Sequence, residues 1–225
     1  MKEYFDDENE SYEDNISHKK EPAEPIPEDK YKMFKYKLEE EHEKFSERNL
    51  MLFLLGVATG YRTEDIVDLT VGDIREALKN DYFEIQEKKQ YKRWNNERLK
   101  NPLYNKKIPS KRKAFIKANL KQLLKQYVRN KKNSEYAFPS NKGISNIKAD
   151  SYSKILTQIG KDLGIGHISG HSMRKTYANR LWESTHDIEY VRKALGHKSI
   201  ETTKLYLGFN RRDIESAAET TDSKL

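Results

Sequence analysis

Apolar residues recur with helical spacing along most of this chain. Between residues 114 and 131 they lie three or four positions apart, which is typical of an amphipathic helix. A similar spacing from Tyr152 to Leu163 predicts a second helix, which Gly164 ends. Further helices are predicted at about 31–58, from Thr63 to Leu69, and at about 172–184, 187–195, 199–207 and 211–218.

Strand signals are confined to the region between Leu69 and residue 114. Tyr82 to Gln86 is predicted to be a strand, and Lys107-Ile108-Pro109 is predicted to be its return strand. A long polar segment separates the two. The sequence therefore predicts a mainly α fold with a small antiparallel β-sheet, of the α+β class.

Charge divides the 225 residues into two parts. Residues 1–30 have a net charge of −7, no apolar periodicity and several prolines, so they are predicted to be a disordered acidic tail. Residues 31–225 have a net charge of +14 and form the predicted folded domain. A basic body of this kind suits nucleic acid, although a basic surface that only maintains solubility would have the same charge.

Several classes of protein are excluded by what the sequence lacks. Without Cys the chain has no disulfide, no thiolate metal site and no Cys nucleophile. The longest apolar run, Leu50 to Ala58, is half the roughly 18 residues of a membrane span, and the N-terminus has no secretory signal. A cytoplasmic protein without membrane association is expected. No Gly-rich phosphate loop or metal-ligand spacing occurs, so no cofactor and no metal are expected.

Three segments contain residues suited to phosphate chemistry. Arg62 lies at a predicted helix start, where a guanidinium and free backbone N–H groups suit a phosphate. His171 and Arg174 are three residues apart and so share one face of a helix. His197 and Tyr206 lie in the third segment. A tyrosine, with a pKa of about 10, is a poor nucleophile unless a base or a positive charge assists it.

Together these segments resemble the tyrosine recombinases, the phage integrase family. Residues 58–66 resemble the family's TGxRxxE box, residues 171–174 its HxxR box and residues 195–206 its LGHxxxxTTxxY box. Phe-Pro-Ser at 138–140 resembles a further family step. The four matches follow the family's order, and together they are far more specific than any one of them.

The resemblance implies a site-specific recombinase or integrase with the family's catalytic-domain fold. Such an enzyme cleaves and rejoins double-stranded DNA through a covalent 3′-phosphotyrosyl intermediate. Tyr206 is then the nucleophile, and His171 is the base that accepts its proton. Arg62, Arg174 and His197 are then the groups that stabilise the charge of the transition state. The family's chemistry requires neither metal nor ATP.

The family also uses a lysine, on a hairpin between its first two boxes, to protonate the departing 5′ oxygen. Lys88 has the better offset from the predicted strand, and Lys89 is the alternative. The segment from Lys89 to Ile108 is longer than usual in the family. Asp65 stands where the family usually has Glu, and it is expected to support the site by hydrogen bonding.

Two rival functions remain open. One is a nicking and resealing activity like that of type IB topoisomerases, against which the LGHxxxxTTxxY match argues. The other is a DNA-binding accessory protein that retains the fold without the reaction, against which the complete set of catalytic residue types argues. A complete N-terminal DNA-clamping domain, usual in the family, is not predicted here. For residues 211–218 two roles are open: they connect the copies of a homo-tetramer on DNA, or they cap the core of their own copy.

Overall fold

Helices make up most of the computed structural model, which describes residues 22–40, 44–101 and 103–224, without side chains at 210–215 and 217. The elements in chain order are α1 (Glu28–Glu40), α2 (Ser46–Thr59), α3 (Thr63–Ile66), α4 (Val71–Asn80), β1 (Tyr82–Ile85), α5 (Lys88–Lys100), β2 (Arg112–Phe115), α6 (Ala118–Tyr127), α7 (Ala149–Asp162), α8 (Gly170–Thr185), α9 (Ile188–Leu195), α10 (Ile200–Leu207) and α11 (Phe209–Asp222).

Helix α2 lies at the centre of the fold because it is apolar on most of its sides. Leu52, Phe53 and Leu55 are fully buried, and α1, α6 and α8 pack around the helix. Phe34 of α1 stacks on Phe53, with ring centroids 5.3 Å apart. Burial of this apolar surface is the main force that holds these helices together.

Helix α8 joins two apolar clusters. Its Met173 belongs to the main core around α2. Its Ala178 belongs to a smaller cluster with Val191 and Leu195 of α9 and Leu207 of α10. Side chains near the start of α8 therefore lie where the two clusters meet.

The small sheet is confirmed, but its return strand is not the predicted one. Strand β1 pairs antiparallel with β2, so that Phe83 is opposite Ala114. Both of these residues are buried, whereas Ile108 of the predicted return strand is 58% exposed. The apolar pair on the buried face of the sheet makes residues 112–115 the return strand. Lys107–Pro109 is not a strand. Because Ala114 belongs to the sheet, helix α6 begins at Ala118 and not at residue 114.

Two helices are not predicted by the sequence analysis. A capping box starts α4, in which the Thr70 side chain accepts from the Asp73 N–H and the Asp73 carboxylate accepts from the Thr70 N–H. Helix α5 occupies the polar segment after β1 and contains no buried residue. Its Lys, Arg, Gln and Glu residues have high helix propensity, and Arg93 pairs with Glu97 one turn later.

The predicted boundary at residue 30 is also wrong, since residues 22–30 are ordered against the domain. Ile26 is buried, and its N–H donates to the Thr176 hydroxyl at 2.8 Å. Helix α1 begins at Glu28, and the single helix predicted over 31–58 is two helices, α1 and α2. The rest of the predicted tail, residues 1–21, lies outside the described residues.

The class predicted from the sequence, mainly α with a small antiparallel sheet, is confirmed. Each of the helices predicted after residue 150 is present, within a few residues of the predicted bounds. No helix in the described part of the chain has the length and apolar character needed to cross a membrane.

Gly60 provides a test of how tightly the end of α2 packs against Tyr177 of α8. It ends α2 with φ +64°, and a Cβ added there would lie 2.3 Å from Cδ1 of Tyr177. Gly60→Ala should therefore lower the free energy of unfolding by about 2–5 kcal/mol, because the left-handed backbone and the overpacking both cost energy. Chemical denaturation measures this loss.

Gly164→Ala is the matched control, since Gly164 has φ +62° and open space where its Cβ would lie. It should lose only the backbone contribution of about 1–2 kcal/mol. Equal losses in the two variants would show that the contact with Tyr177 is not tight.

Candidate active site

Arg62 is positioned by the turn between α2 and α3. Gly60 ends α2 in the left-handed conformation, and Arg62 then lies at the N-cap of α3 with an extended backbone. Its side chain is 14% exposed. Asp65, on the same short helix, is buried and accepts a hydrogen bond from the Lys88 N–H at 2.8 Å. That bond joins α3 to the start of α5.

Arg174 is held by backbone carbonyls from two distant parts of the chain. A capping box at Ser169 starts α8, and His171 and Arg174 follow in its first two turns. Arg174 is 1% exposed. Its Nη1 donates to the Gly60 carbonyl and its Nη2 to the Leu195 carbonyl, each at 2.5 Å. These bonds fix the orientation of the guanidinium.

His197 and Tyr206 are brought together by the turn between α9 and α10. Gly196 ends α9 with φ +67°, and the Ser199 side chain caps α10. His197 Nδ1 lies 3.1 Å from the Thr203 hydroxyl, which holds the ring. The rings of His197 and Tyr206 meet edge to face, with centroids 5.3 Å apart.

Most of the predicted catalytic residues line one cavity of about 550 Å³. Its wall includes five of the six predicted catalytic residues, namely Arg62, His171, Arg174, His197 and Tyr206. Helix α5 and the segment after it also contribute to the wall, with Trp94, Tyr104 and Lys106. Residues from four separate parts of the chain thus face one space.

Lys88 lies apart from the other predicted catalytic residues. The Lys88 ammonium pairs with Asp68, and the residue is not part of the cavity wall. Lys89 does line the cavity, and its charge helps to lower the pKa of His171. Because β1 ends at Ile85 and α5 begins at Lys88, both lysines lie in the first turn of a helix and not in a strand.

Glu87 is a site residue that the sequence analysis missed. Its Oε1 lies 2.8 Å from Arg62 Nη1 and 2.9 Å from Arg174 Nη1, and 3.5 Å from Arg112 Nε. Strand alternation is a signal that was available, because it places residue 87 on the same face as Phe83, which is buried. Burial raises the pKa of Glu87, but the three arginines outweigh burial and hold the pKa below its usual range.

Burial favours the neutral forms of the tyrosine and the two histidines in the cavity wall. Burial raises the pKa of Tyr206 to about 12, although Arg174 and Arg62 act in the opposite direction. Its hydroxyl is buried and forms no hydrogen bond of good geometry with the described part of the chain. Burial and the arginines lower the pKa of His197 to about 4, and burial and Lys89 lower that of His171.

These features define what the site can do chemically. Two guanidinium groups at the cavity wall can bind the two non-bridging oxygens of a phosphodiester. A neutral imidazole can accept the proton of the phenol, and the phenol oxygen can then attack phosphorus. Across residues 22–40, 44–101 and 103–224, no group of three or more His, Asp or Glu side chains could hold a metal ion.

The chain belongs to the phage integrase family, whose model matches residues 26–212. It is 29% identical over 175 residues to the probable integrase/recombinase YoeC of Bacillus subtilis (strain 168), a match that covers 76% of this chain and 83% of YoeC. It is 28% identical to the tyrosine recombinase XerS of Streptococcus sanguinis (strain SK36), over 72% of this chain but 42% of XerS. The chain therefore spans less than half the length of XerS.

Solved structures confirm the predicted tyrosine recombinase catalytic-domain fold. A XerH site-specific recombinase in a post-cleavage complex with difH DNA superposes with a TM-score of 0.61, over 92% of this chain and 56% of XerH, at 23% identity. The Tn1549 transposon integrase with a circular intermediate DNA superposes with a TM-score of 0.62, over 89% of this chain and 68% of the integrase, at 16% identity. These similarities concern the fold alone.

Proposed function

We propose that this chain is the catalytic part of a site-specific DNA recombinase or integrase. It cleaves and rejoins DNA strands through a covalent 3′-phosphotyrosyl intermediate on Tyr206. The observation that carries the proposal is the shared cavity, whose wall Tyr206 forms together with Arg62, Arg174 and both histidines. A protein that only binds DNA gains nothing from that arrangement.

In the cleavage step, His171 accepts the phenolic proton as the Tyr206 oxygen attacks phosphorus. The bond from phosphorus to the 5′ oxygen breaks, and its electron pair leaves with that oxygen. Arg62 and Arg174 bind the non-bridging oxygens and stabilise the added charge of the pentavalent transition state, and His197 adds a hydrogen bond there. Rejoining is the reverse reaction, with a 5′ hydroxyl from the same or a partner strand.

The departing 5′ oxygen needs a proton, and we assign this role to Lys89. Its position in the cavity wall supports the assignment, whereas the ion pair with Asp68 directs Lys88 elsewhere. The assignment replaces Lys88, which the sequence favoured. Asp65 serves as a supporting residue, because it fixes the backbone of α5 next to Lys89.

Double-stranded DNA is the proposed substrate. The net charge of +14 over residues 31–225 supports it, as does the basic wall formed by α5. The XerH and Tn1549 integrase structures contain DNA bound to those proteins. A homo-tetramer on DNA that uses residues 211–218, which lie in α11, stays a prediction.

Tyr206→Phe tests the nucleophile, because it removes the phenol oxygen and keeps the ring that packs on His197. The variant should form no covalent adduct with a nicked suicide substrate, while its affinity for DNA stays within about twofold. Gel electrophoresis under denaturing conditions detects the adduct. Tyr190→Phe is the control, since Tyr190 is 50% exposed on α9.

The result also separates the rival functions. An adduct in wild type with resealing but no exchange between duplexes would indicate the topoisomerase-like activity. DNA binding without any adduct in wild type would indicate an accessory protein, and an adduct in Tyr206→Phe would place the nucleophile elsewhere.

Lys89→Ala tests the general acid. It should slow single-turnover cleavage of an ordinary phosphodiester by about 10²–10⁴-fold, the usual contribution of general acid catalysis. It should slow a substrate with a 5′-bridging sulfur far less, because a thiolate leaves without being protonated. Lys88→Ala is the matched control and should cleave both substrates at nearly the wild-type rate. The reverse pattern would return the role to Lys88.

A further inference from the structure

Glu87 is a buried charged group that the proposed mechanism does not use. It is 2% exposed at the N-cap of α5, two residues after β1 ends. Its Oε1 is shared between Arg62 and Arg174, and its Oε2 accepts a hydrogen bond from the Gln90 amide at 2.7 Å. Both oxygens are therefore fixed.

The contacts of Glu87 reduce the electrostatic repulsion between the arginines of the site. Arg62, Arg174 and Arg112 bring three positive charges into a partly dry region, where like charges repel strongly. One carboxylate between them offsets that repulsion and leaves the group with a net positive charge. A phosphodiester, which has one negative charge, is still attracted to it.

The location of Glu87 shows whether its carboxylate supports the two arginines or competes with the phosphate for them. Arg62 and Arg174 belong to the cavity wall, whereas Glu87, which contacts both, is not part of it. Arg112 is not part of the wall either, and it donates to the Thr59 and Ala194 carbonyls. The carboxylate thus holds the guanidinium groups without lining the cavity itself.

We infer that Glu87 is a positioning residue that holds Arg62 and Arg174 in the geometry that binds the scissile phosphate in the transition state. The inference rests on the proposed function, since it concerns the same site. Displacement of a catalytic group by about 1 Å can cost about 10²-fold in rate. Loss of the shared carboxylate should therefore affect the chemical step more than DNA binding.

Glu87→Gln keeps the shape of the side chain and removes its charge. We expect the single-turnover rate of adduct formation to fall by about 10- to 100-fold. DNA affinity, measured in the Tyr206→Phe background so that no cleavage occurs, should stay within about threefold. Glu84→Gln is the matched control, because Glu84 lies in β1 three residues before Glu87, is 42% exposed and pairs with Lys113. It should change neither quantity.

Glu87→Asp is the conservative variant, and it also covers the case in which Glu87→Gln does not fold, as judged by circular dichroism. It keeps the charge but shortens the reach to the arginines, so adduct formation should recover to between the Gln variant and wild type. A rate in Glu87→Gln equal to or above that of wild type would overturn the inference. Equal losses of rate and DNA affinity would also overturn it.

A second readout does not require activity. The guanidinium N–H groups of Arg62 and Arg174 should give sharp NMR signals in wild type and in Glu84→Gln, because they are held in place. Those signals should broaden in Glu87→Gln, and unchanged signals would contradict the inference. Failure of wild type to form an adduct would instead refute the proposed function, and the NMR result would still decide the role of Glu87.

Discussion

Three guanidinium groups surround one buried carboxylate. Much of the fold serves to bring these four side chains into contact. Each of the four residues comes from a different element or turn, namely Arg62 before α3, Glu87 after β1, Arg112 in β2 and Arg174 in α8. An arginine separated from the carboxylate would be a buried charge without its partner, which costs stability.

Main-chain carbonyls complete the environment of these arginines. Arg174 donates to the carbonyls of Gly60 and Leu195, which lie at the C-terminal ends of α2 and α9. Arg112 donates to those of Thr59 and Ala194 at the same two helix ends. The partial negative charge at a helix C-terminus favours a cation there. The ends of α2 and α9 therefore serve both as turns and as sites for the buried cations.

The sequence predicts much of this protein because its signals are local. Helical periodicity located the helices after residue 150, and the motif spacing identified five residues that share the cavity. The return strand at 112–115 depends on which residue faces Phe83, a long-range choice that residues 107–109 could not reveal alone. Lys88 was favoured over Lys89 for a related reason, because the directions of the two lysines follow from a helix, α5, in a segment without apolar periodicity. Glu87 was missed because its partners Arg62, Arg112 and Arg174 are distant in sequence.

The central claim is that the Tyr206 oxygen becomes bonded to the 3′ phosphate of a cleaved strand. The most direct test traps the adduct on a suicide substrate, digests the protein and the DNA, and identifies the modified peptide by mass spectrometry. We predict a 3′-phosphonucleotide on Tyr206, one of the chain's 14 tyrosines. A nucleotide on any other residue, or a 5′-phosphate linkage, would contradict the account.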